Sequence, residues 1–291
     1  MTYPVTLDIP PSLPDTIDSL ALGIYDGFHR AHQLITKNAN ALLTCHPHPE
    51  IVLKKHSDLQ YLSTISELRQ LFPSTIVLNF TPDIAGMDPL DFLNKIILDR
   101  FSPKHIYCGH DYRFGAKQAG DVALLTRWGA QHGIHVSASP EITHRGKTVR
   151  SGAIRKLLDE GHFDDAIDLL GHPYLIHGRV VKGDGRGKSL GFPTINIDVP
   201  DRKYIPQHGV YKADILLNNT ALPTIVYIGT KPTFSPSTKT IEAHILEWDG
   251  NLYGQDIQLN LYSFIRGEMS FESPRDLINQ IKTDIRTHFH D

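Results

Sequence analysis

The strongest constraint on this chain is a change of pattern after Gly171. Before it, short apolar runs alternate with segments of helical period, which is typical of a parallel sheet flanked by helices. After it come strand-like runs separated by turns and one closing helix, which is typical of a small antiparallel β-barrel. The sequence therefore predicts an α/β domain over residues 1–170 and a β domain over residues 171–291. A length of 291 residues suits two domains.

The predicted elements follow from periodicity and turn signals. In the first half we predict strands at 19–25, 41–45, 75–80, 105–109 and 134–137, a turn opening into a short helix at 27–32, and helices at 59–72, 89–101, 121–132, 151–161 and 164–170. In the second half we predict strands at 175–182, 194–198, 210–217, 222–228, 240–247 and 255–264. Asn218-Asn219 and Asp249-Gly250-Asn251 are hairpin signals, and Ser273 is the predicted cap of a final helix at 274–289.

Composition excludes several classes of function. Lys plus Arg total 29 and Asp plus Glu total 32, so the net charge of −3 argues against a large nucleic-acid footprint. Cys45 and Cys108 provide neither a disulfide framework nor a Cys-x-x-Cys zinc motif. No signal peptide and no apolar run of about 20 residues is visible. We therefore expect a cytoplasmic protein without a membrane span, whose basic clusters at 182–188 and 145–155 bind small phosphorylated ligands.

The densest motif lies in the second half. Four glycines, at 183, 185, 187 and 191, are interleaved with Lys182, Arg186 and Lys188. Such a loop lets phosphates approach backbone N–H groups, although a flexible turn-rich hairpin would have the same composition and the run does not match a P-loop. Thr194 and Asn196 follow on one face of a predicted strand and offer the hard oxygen donors that Mg²⁺ accepts beside phosphates.

The run Gly-Lys-Ser-Leu-Gly-Phe-Pro-Thr-Ile-Asn-Ile at 187–197 resembles the signature of riboflavin kinases, and segments 205–211, 228–234 and 242–254 resemble that family in the same order. The resemblance implies ATP-dependent phosphorylation of riboflavin to FMN, with Glu242 as the base. It further implies Mg²⁺ on Thr194 and Asn196, a flavin contact from Arg266, and nucleotide contacts from Gly183, Gly185, Gly187 and Lys188. The alternative for Glu242 is an exposed strand residue without a catalytic role.

The second motif is Gly23-Ile-Tyr-Asp-Gly-Phe-His-Arg-Ala-His32, at the end of the first predicted strand. A Rossmann-like sheet binds phosphates at this point because the free N–H groups of the following helix face the crevice. His29 and His32 could donate hydrogen bonds to an α-phosphate there. By itself, His-x-x-His is also compatible with metal ligation or with two surface histidines.

This segment resembles the Gly-x-Phe-Asp-Gly-x-His-x-Gly-His motif of the prokaryotic FMN adenylyltransferase module, and stretches 44–49, 109–115 with 120–121, and 149–158 agree in order. The resemblance implies a nucleotidyltransferase fold that adenylylates FMN to FAD. His29 and His32 would be catalytic, and the nucleotide would be bound by Gly23, Asp26, Gly27, Asp111, Ser151 and Arg155. Together the halves are similar to the bifunctional riboflavin kinase/FAD synthetase family, which implies a monomer or weak homo-oligomer that uses ATP, Mg²⁺ and flavins.

The chain departs from that family at three places. Ala31 replaces the glycine between the two histidines, and Ile24 replaces an asparagine. Arg-Ser-Gly-Ala-Ile-Arg at 150–155 stands where the family has Ser-Ser-Thr-x-x-Arg, so two hydroxyls are missing. Our interpretation is an enzyme with both activities. Its alternatives are a riboflavin kinase whose first domain only binds nucleotide or flavin, and a flavin-binding sensor with neither activity.

Overall fold

The protein divides into two compact units. The computed structural model describes residues 4–183, 185–230 and 239–289, so residues 231–234 of one kinase-like segment lie outside the described residues. One unit contains residues 1–61 and 68–151, and the other contains residues 62–67 and 152–291.

The first unit is built on a six-stranded sheet. Its strands are β1 (Leu7–Asp8), β2 (Ser19–Leu22), β3 (Ala41–His46), β4 (Thr75–Asn79), β5 (His105–Gly109) and β6 (His135–Ser139). Their order is β1-β4-β3-β2-β5-β6, with β1 antiparallel at one edge and the others parallel. This order confirms the predicted Rossmann-like parallel sheet and puts its switch point between β2 and β5, where such sheets bind ligands.

The sheet is apolar on both faces, which explains why its central strands are continuous apolar runs. Leu20 and Leu22 belong to one buried cluster with Ile76 and Ile106, whereas Ala21 belongs to a second cluster with Leu42. Successive side chains of a strand point to opposite faces, so a strand covered on both sides needs apolar residues throughout.

Short helices connect these strands: α1 (Arg30–Thr36), α2 (Pro49–Val52), α3 (Ile65–Leu71), α4 (Pro82–Ala85), α5 (Pro89–Phe92), a π-helical stretch (Leu93–Leu98), α6 (Asp99–Phe101) and α7 (Val122–Gln131). A 3-10 turn (Ala116–Gln118) and a two-stranded hairpin, β7 (Thr143–His144) with β8 (Lys147–Thr148), complete the unit. The π-helical stretch joins α5 to α6, so helical structure covers the predicted 89–101 without a gap.

Helix α3 is shorter than the predicted helix at 59–72, because a capping box starts it. Thr64 Oγ1 accepts from Glu67 N at 3.3 Å, and Glu67 Oε2 accepts from Thr64 N at 2.7 Å. A Thr-x-x-Glu pair of this kind satisfies backbone donors that have no partner within the helix. The residues before Thr64 therefore stay outside the helix.

The second unit contains a closed six-stranded barrel. Its strands are β9 (Tyr174–Val181), β10 (Ile195–Asp198), β11 (Gly209–Leu217), β12 (Thr220–Thr230), β13 (Lys239–Ile245) and β14 (Asp256–Arg266), paired antiparallel in the order β10-β13-β12-β11-β14-β9 with β9 closing onto β10. This architecture confirms the predicted barrel. Closure pairs every strand on both sides and leaves no open edge.

One of the two predicted hairpins is wrong. Asn218 and Asn219 adopt φ of 49° and 63° and join β11 to β12, as the sequence indicates. Strands β13 and β14 do not pair, because β13 lies between β10 and β12 while β14 lies between β11 and β9. Residues 249–251 therefore form a connection between two separated strands.

Four helices belong wholly or mainly to the second unit: α8 (Ser151–Asp159), α9 (Phe163–Leu170), α10 (Arg186–Ser189) and α11 (Pro274–Phe289). The Phe163 ring packs edge-on against Tyr211 at 5.0 Å, and Asp164 Oδ1 accepts from Phe264 N at 3.1 Å. These contacts place α9 with the barrel, so the compact units change at Ser151, before the boundary predicted near Gly171. Ser273 caps α11 as predicted, accepting from Asp276 N.

A buried ion pair ties residues 62–67 into the barrel unit. Lys203 Nζ donates to Glu67 Oε2 at 2.8 Å and to Leu62 O at 2.7 Å, and both charged side chains are 0% exposed. Glu67 Oε1 also accepts from His177 N at 2.8 Å. Charges withdrawn from water are tolerated only with such complete pairing. The barrel unit therefore includes a segment from the first half of the chain.

Removing one partner of this pair is expected to be costly. Lys203→Met leaves the Glu67 carboxylate buried without its counter-ion, and we expect the free energy of unfolding to fall by about 3–5 kcal/mol. Adding Glu67→Gln to that variant removes the orphaned charge and should restore part of the loss. Urea denaturation measures both changes, with Lys95→Met, at an exposed ion pair, as the control. A loss below about 1 kcal/mol in Lys203→Met would contradict this account.

Candidate active sites

The first candidate site begins at the carboxyl end of β2. Phe28 N donates to Tyr25 O at 3.1 Å, closing a tight turn in which Gly27 adopts a φ of 85° that favours glycine. His29 then caps α1, its Nδ1 accepting from His32 N at 3.4 Å. Because Nδ1 accepts this bond, Nε2 is the ring nitrogen of His29 that can donate a hydrogen bond.

The two histidines form a stacked pair. Their ring centroids are 3.6 Å apart at an interplanar angle of 16°. Burial lowers the pKa of His32 well below its usual range, and the charge of His29 lowers it further. His32 is therefore a neutral hydrogen-bonding group at neutral pH, able to donate from one ring nitrogen.

Two buried polar atoms at this turn lack hydrogen-bond partners. Among the residues that the structure describes, Tyr25 Oη and His32 Nδ1 are the buried side-chain atoms in this condition. A buried polar atom without a hydrogen-bond partner lowers the stability of the protein by about 1–3 kcal/mol. A native structure therefore keeps such an atom where a ligand binds. Their rings touch edge to face at 5.0 Å, which places both atoms in one small region.

Most of the predicted nucleotide-binding residues meet at this switch point. Ser151 Oγ donates to Asp26 O at 2.7 Å and so ties the start of α8 to the Gly27 turn. Asp111 follows β5, the neighbour of β2, and its Oδ1 lies so close to Gly109 that a Cβ there would be 3.0 Å away. Arg155 lies on α8 and belongs to the other compact unit, so its nucleotide contact stays a prediction.

The second candidate site is a row of side chains across the barrel. Asn196 on β10 is directly opposite Glu242 on β13, and Glu242 is opposite Tyr227 on β12. Directly opposed residues project from the same face of a sheet. Thr194 Oγ1 donates to Glu242 Oε2 at 3.4 Å, so both predicted metal ligands and the predicted base lie together. Tyr227 was not predicted from sequence, because it lies within an ordinary strand pattern.

Close approaches explain two glycines of the loop that precedes β10. A Cβ on Gly183 would lie 2.0 Å from Asn196 Nδ2, and one on Gly187 would lie 2.3 Å from Phe192 O and 3.1 Å from Thr194 Oγ1. Gly185 adopts a φ of 69°. The loop is thus packed directly on the side chains that carry the predicted chemistry, which a merely flexible hairpin would not require.

A cavity of about 280 Å³ opens beside this loop. Gly183, Gly185, Thr194 and Asn196 line one side, and the connection at 248–253 lines the other. Trp248, which the sequence analysis missed as a site residue, lies over Gly250, where a Cβ would be 2.3 Å from its ring. Its lining combines polar groups, such as those of Thr194 and Asn196, with apolar side chains, such as those of Ile195 and Leu252, which suits a nucleotide.

Four of the residues predicted for this site lie outside that lining, and the first is Glu242, which contacts the cavity-lining Thr194. Gly187 and Lys188 lie in helix α10, and the Lys188 side chain is exposed. Arg266 Nε is 2.9 Å from Asp284 Oδ2 on α11, and its Nη1 donates to Gly267 O at 3.1 Å. The Arg266 side chain thus holds the terminal helix to the barrel, and its predicted flavin contact stays a prediction.

These two sites define a class of enzyme. One unit offers paired histidines at the switch point of a Rossmann-like sheet, and the other offers a glycine loop, a hydroxyl, an amide and a carboxylate beside a cavity. Both arrangements suit the transfer of phosphorus-containing groups from a nucleotide.

Comparison with known proteins gives the family. The FAD synthetase family model matches residues 14–153, and the riboflavin kinase model matches residues 170–289. Bifunctional riboflavin kinase/FMN adenylyltransferases are 30% identical in Listeria monocytogenes (97% of this chain, 94% of the relative), in Escherichia coli (91% and 90%) and in Bacillus subtilis (91% and 89%). The chain belongs to the bifunctional riboflavin kinase/FMN adenylyltransferase family. Both domains are present, which favours two activities in flavin biosynthesis over a kinase alone.

A solved structure shares the fold. The crystal structure of a macrolide-efflux protein from Streptococcus pneumoniae is 25% identical, covers 95% of both chains and has a TM-score of 0.82. Among the helices described for the present chain, none has the length and apolar character needed to cross a membrane.

The close packing of Gly183 gives a direct test of the second site. Gly183→Ala must displace the Asn196 amide, so we expect the KM for ATP in FMN formation to rise at least about 10-fold while the fold is retained. Steady-state kinetics checks this. Gly86→Ala, where a Cβ meets only ordinary contacts, is the control. An unchanged KM and kcat in Gly183→Ala would exclude Asn196 from the site.

Proposed function

We propose that the barrel unit phosphorylates riboflavin at the row Asn196–Glu242 and that the first unit adenylylates FMN at the His29–His32 pair. The observation that carries the kinase assignment is the register that brings Thr194, Asn196 and Glu242 together beside a cavity. ATP is the donor in both reactions, and riboflavin and FMN are the acceptors.

In the kinase step, Glu242 accepts the proton of the primary hydroxyl of riboflavin as that oxygen attacks the γ-phosphorus of ATP. The bond from the γ-phosphorus to the bridging oxygen breaks, and ADP leaves. In phosphoryl transfer the protein mainly positions the reactants and stabilises the charge of the transition state. The glycine loop supplies backbone N–H groups for the phosphates, and the Thr194 bond orients the Glu242 carboxylate.

The donor set fits Mg²⁺. Thr194 and Asn196 offer neutral oxygens, and the described residues contain no group of three or more His, Cys, Asp or Glu side chains that could cage a metal. Mg²⁺ is commonly held by one or two protein ligands together with substrate phosphates, and the pair Thr194 and Asn196 agrees with this mode of binding. When bound, the ion would neutralise phosphate charge.

In the adenylylation step, a phosphate oxygen of FMN attacks the α-phosphorus of ATP, and pyrophosphate leaves. No protein nucleophile is needed. His29 and His32 donate hydrogen bonds to the α-phosphate as negative charge develops, and the Gly27 turn and the N-terminus of α1 face the same phosphates. Ser151 fixes that turn through Asp26 O.

The remaining expectations belong to this proposal. We infer functional halves at 1–170 and 171–291, and the riboflavin kinase model over residues 170–289 supports this division. We further propose a cytoplasmic enzyme, a monomer or weak homo-oligomer, that acts on small molecules and not on nucleic acid.

A single incubation distinguishes an enzyme with both activities from a riboflavin kinase alone. Riboflavin, ATP and Mg²⁺ are added to the full-length protein, and the flavins are resolved by chromatography. We expect FMN and then FAD. FMN that accumulates without FAD, also when FMN is the supplied substrate, would reject the adenylyltransferase.

Glu242→Gln tests the kinase base. It keeps the shape and removes proton-accepting power, so we expect FMN formation to fall by about 10²–10⁴-fold while FMN is still converted to FAD. The matched control is Glu272→Gln at an exposed position, which should leave both rates unchanged. Near-wild-type FMN formation by Glu242→Gln would exclude Glu242 as the base of the kinase reaction.

His32→Ala tests the other site. We expect FAD formation from FMN to fall by about 10²–10³-fold, because a donor to the transition state is lost. FMN formation should persist. His135→Ala, at an exposed histidine of the same unit, serves as the comparison. FAD production that survives in His32→Ala would show that the adenylyl site is elsewhere.

A further inference from the structure

Tyr227 lies next to the proposed base and has no assigned role. It is directly opposite Glu242 across β12 and β13, and 37% of it is exposed. An exposed aromatic ring beside a reacting carboxylate is available to a ligand, because aromatic rings provide large rigid contact areas.

Two neighbours hold the Tyr227 side chain in one place. Its ring lies over Gly229, where a Cβ would be 2.2 Å from Tyr227 Oη. The hydroxyl donates to Glu268 Oε1 at 2.6 Å, and Glu268 Oε2 is 3.6 Å from His208 Nδ1. Glu268 follows β14 and His208 precedes β11, so the ring is anchored to two segments at the same end of the antiparallel β11–β14 pair.

The tyrosine remains a hydrogen-bond donor at neutral pH. Burial, the bond to Glu268 and the charges of Glu268 and Glu242 raise the pKa of Tyr227 to about 12. A phenol with this pKa keeps its proton while it is anchored by the carboxylate.

The position of Tyr227 relative to the cavity indicates which of the two substrates it contacts. The cavity includes Asn196, which is on one side of Glu242 in the row, whereas Tyr227 is on the other side and does not line it. Phosphoryl transfer places the attacking and leaving oxygens roughly in line on opposite sides of phosphorus. If the nucleotide occupies the cavity, the alcohol must reach Glu242 from the Tyr227 side.

We propose that Tyr227, held by Gly229 and Glu268, is a binding residue for the acceptor of the kinase reaction. The acceptor class is a polyol chain on a planar aromatic ring system: the tyrosine ring contacts the acceptor, and the Tyr227–Glu268 pair fixes that ring beside the base. This inference rests on the proposed kinase function and adds a residue that determines acceptor affinity.

The test separates acceptor binding from nucleotide binding in the full-length protein. We expect Tyr227→Phe and Glu268→Gln each to raise the KM for riboflavin about 3- to 10-fold, with the KM for ATP unchanged, because each removes the bond that fixes the ring. The double variant should be no worse than either single variant, since both remove one shared bond. Gly229→Ala, which pushes the ring from its place, should give the same KM change.

The control is Tyr262→Phe. Tyr262 is also an exposed barrel tyrosine that donates to a carboxylate, that of Asp214, and it lies outside the row of Glu242. It should leave both KM values unchanged. Conversion of FMN to FAD and the melting temperature are followed in every variant, so that a folding defect is recognised.

Each outcome decides one question. No FMN from the wild type would overturn the proposed kinase itself. FMN from the wild type, with unchanged riboflavin KM in Tyr227→Phe and Gly229→Ala, would overturn only the role of Tyr227. An equal rise in the KM for ATP, or additive losses in the double variant, would also overturn it, since neither follows from one bond on the acceptor side.

Discussion

Closure of the barrel is the constraint on which the second site depends. Because every strand is paired on both sides, the register of β10, β13 and β12 is fixed from both directions, and Asn196, Glu242 and Tyr227 are brought into one row. A slip of one residue in β13 would turn Glu242 toward the interior, where Ile241 and Ala243 pack. The proposed kinase site thus depends on strand pairing, including that of β10 with β13, which are distant in sequence.

The same dependence sets the limit of what the sequence could predict. Local signals were reliable: the six barrel strands, the Asn218-Asn219 turn and the Ser273 cap are confirmed with small changes in their ends. The predicted hairpin at 249–251 was wrong because turn residues show that a chain bends and not which strand it joins next. The Tyr227–Glu268 bond spans 41 residues, and no local pattern could indicate it. By contrast, the Thr64-x-x-Glu67 capping box was readable and would have corrected the start of α3.

At the first site, the effect of the departures from the family's Ser-Ser-Thr segment follows from the space around Gly152 and from the hydrogen bond of Ser151. A Cβ at Gly152, where the family has threonine, would meet nothing within 4 Å, so the change removes a hydroxyl without disturbing the packing. Ser151 is retained, and its hydroxyl donates a hydrogen bond to the backbone carbonyl of Asp26. The donors that remain at the switch point are chiefly the two histidines and backbone N–H groups. These are the groups to which the proposed mechanism assigns stabilisation of the α-phosphate, because the substrate supplies the nucleophile.

The Glu67–Lys203 pair has a consequence for how the two halves of such a chain can be separated. The two family models match separate stretches, residues 14–153 and 170–289, but the barrel unit also uses residues 62–67 from the first half. A chain cut between residues 153 and 170 would retain Lys203 within its core and lose the Glu67 carboxylate and the Leu62 carbonyl, which accept hydrogen bonds from the Lys203 ammonium group. The barrel half of this protein is modular in sequence and dependent in structure, so recombination with another first half requires a matching acid at position 67.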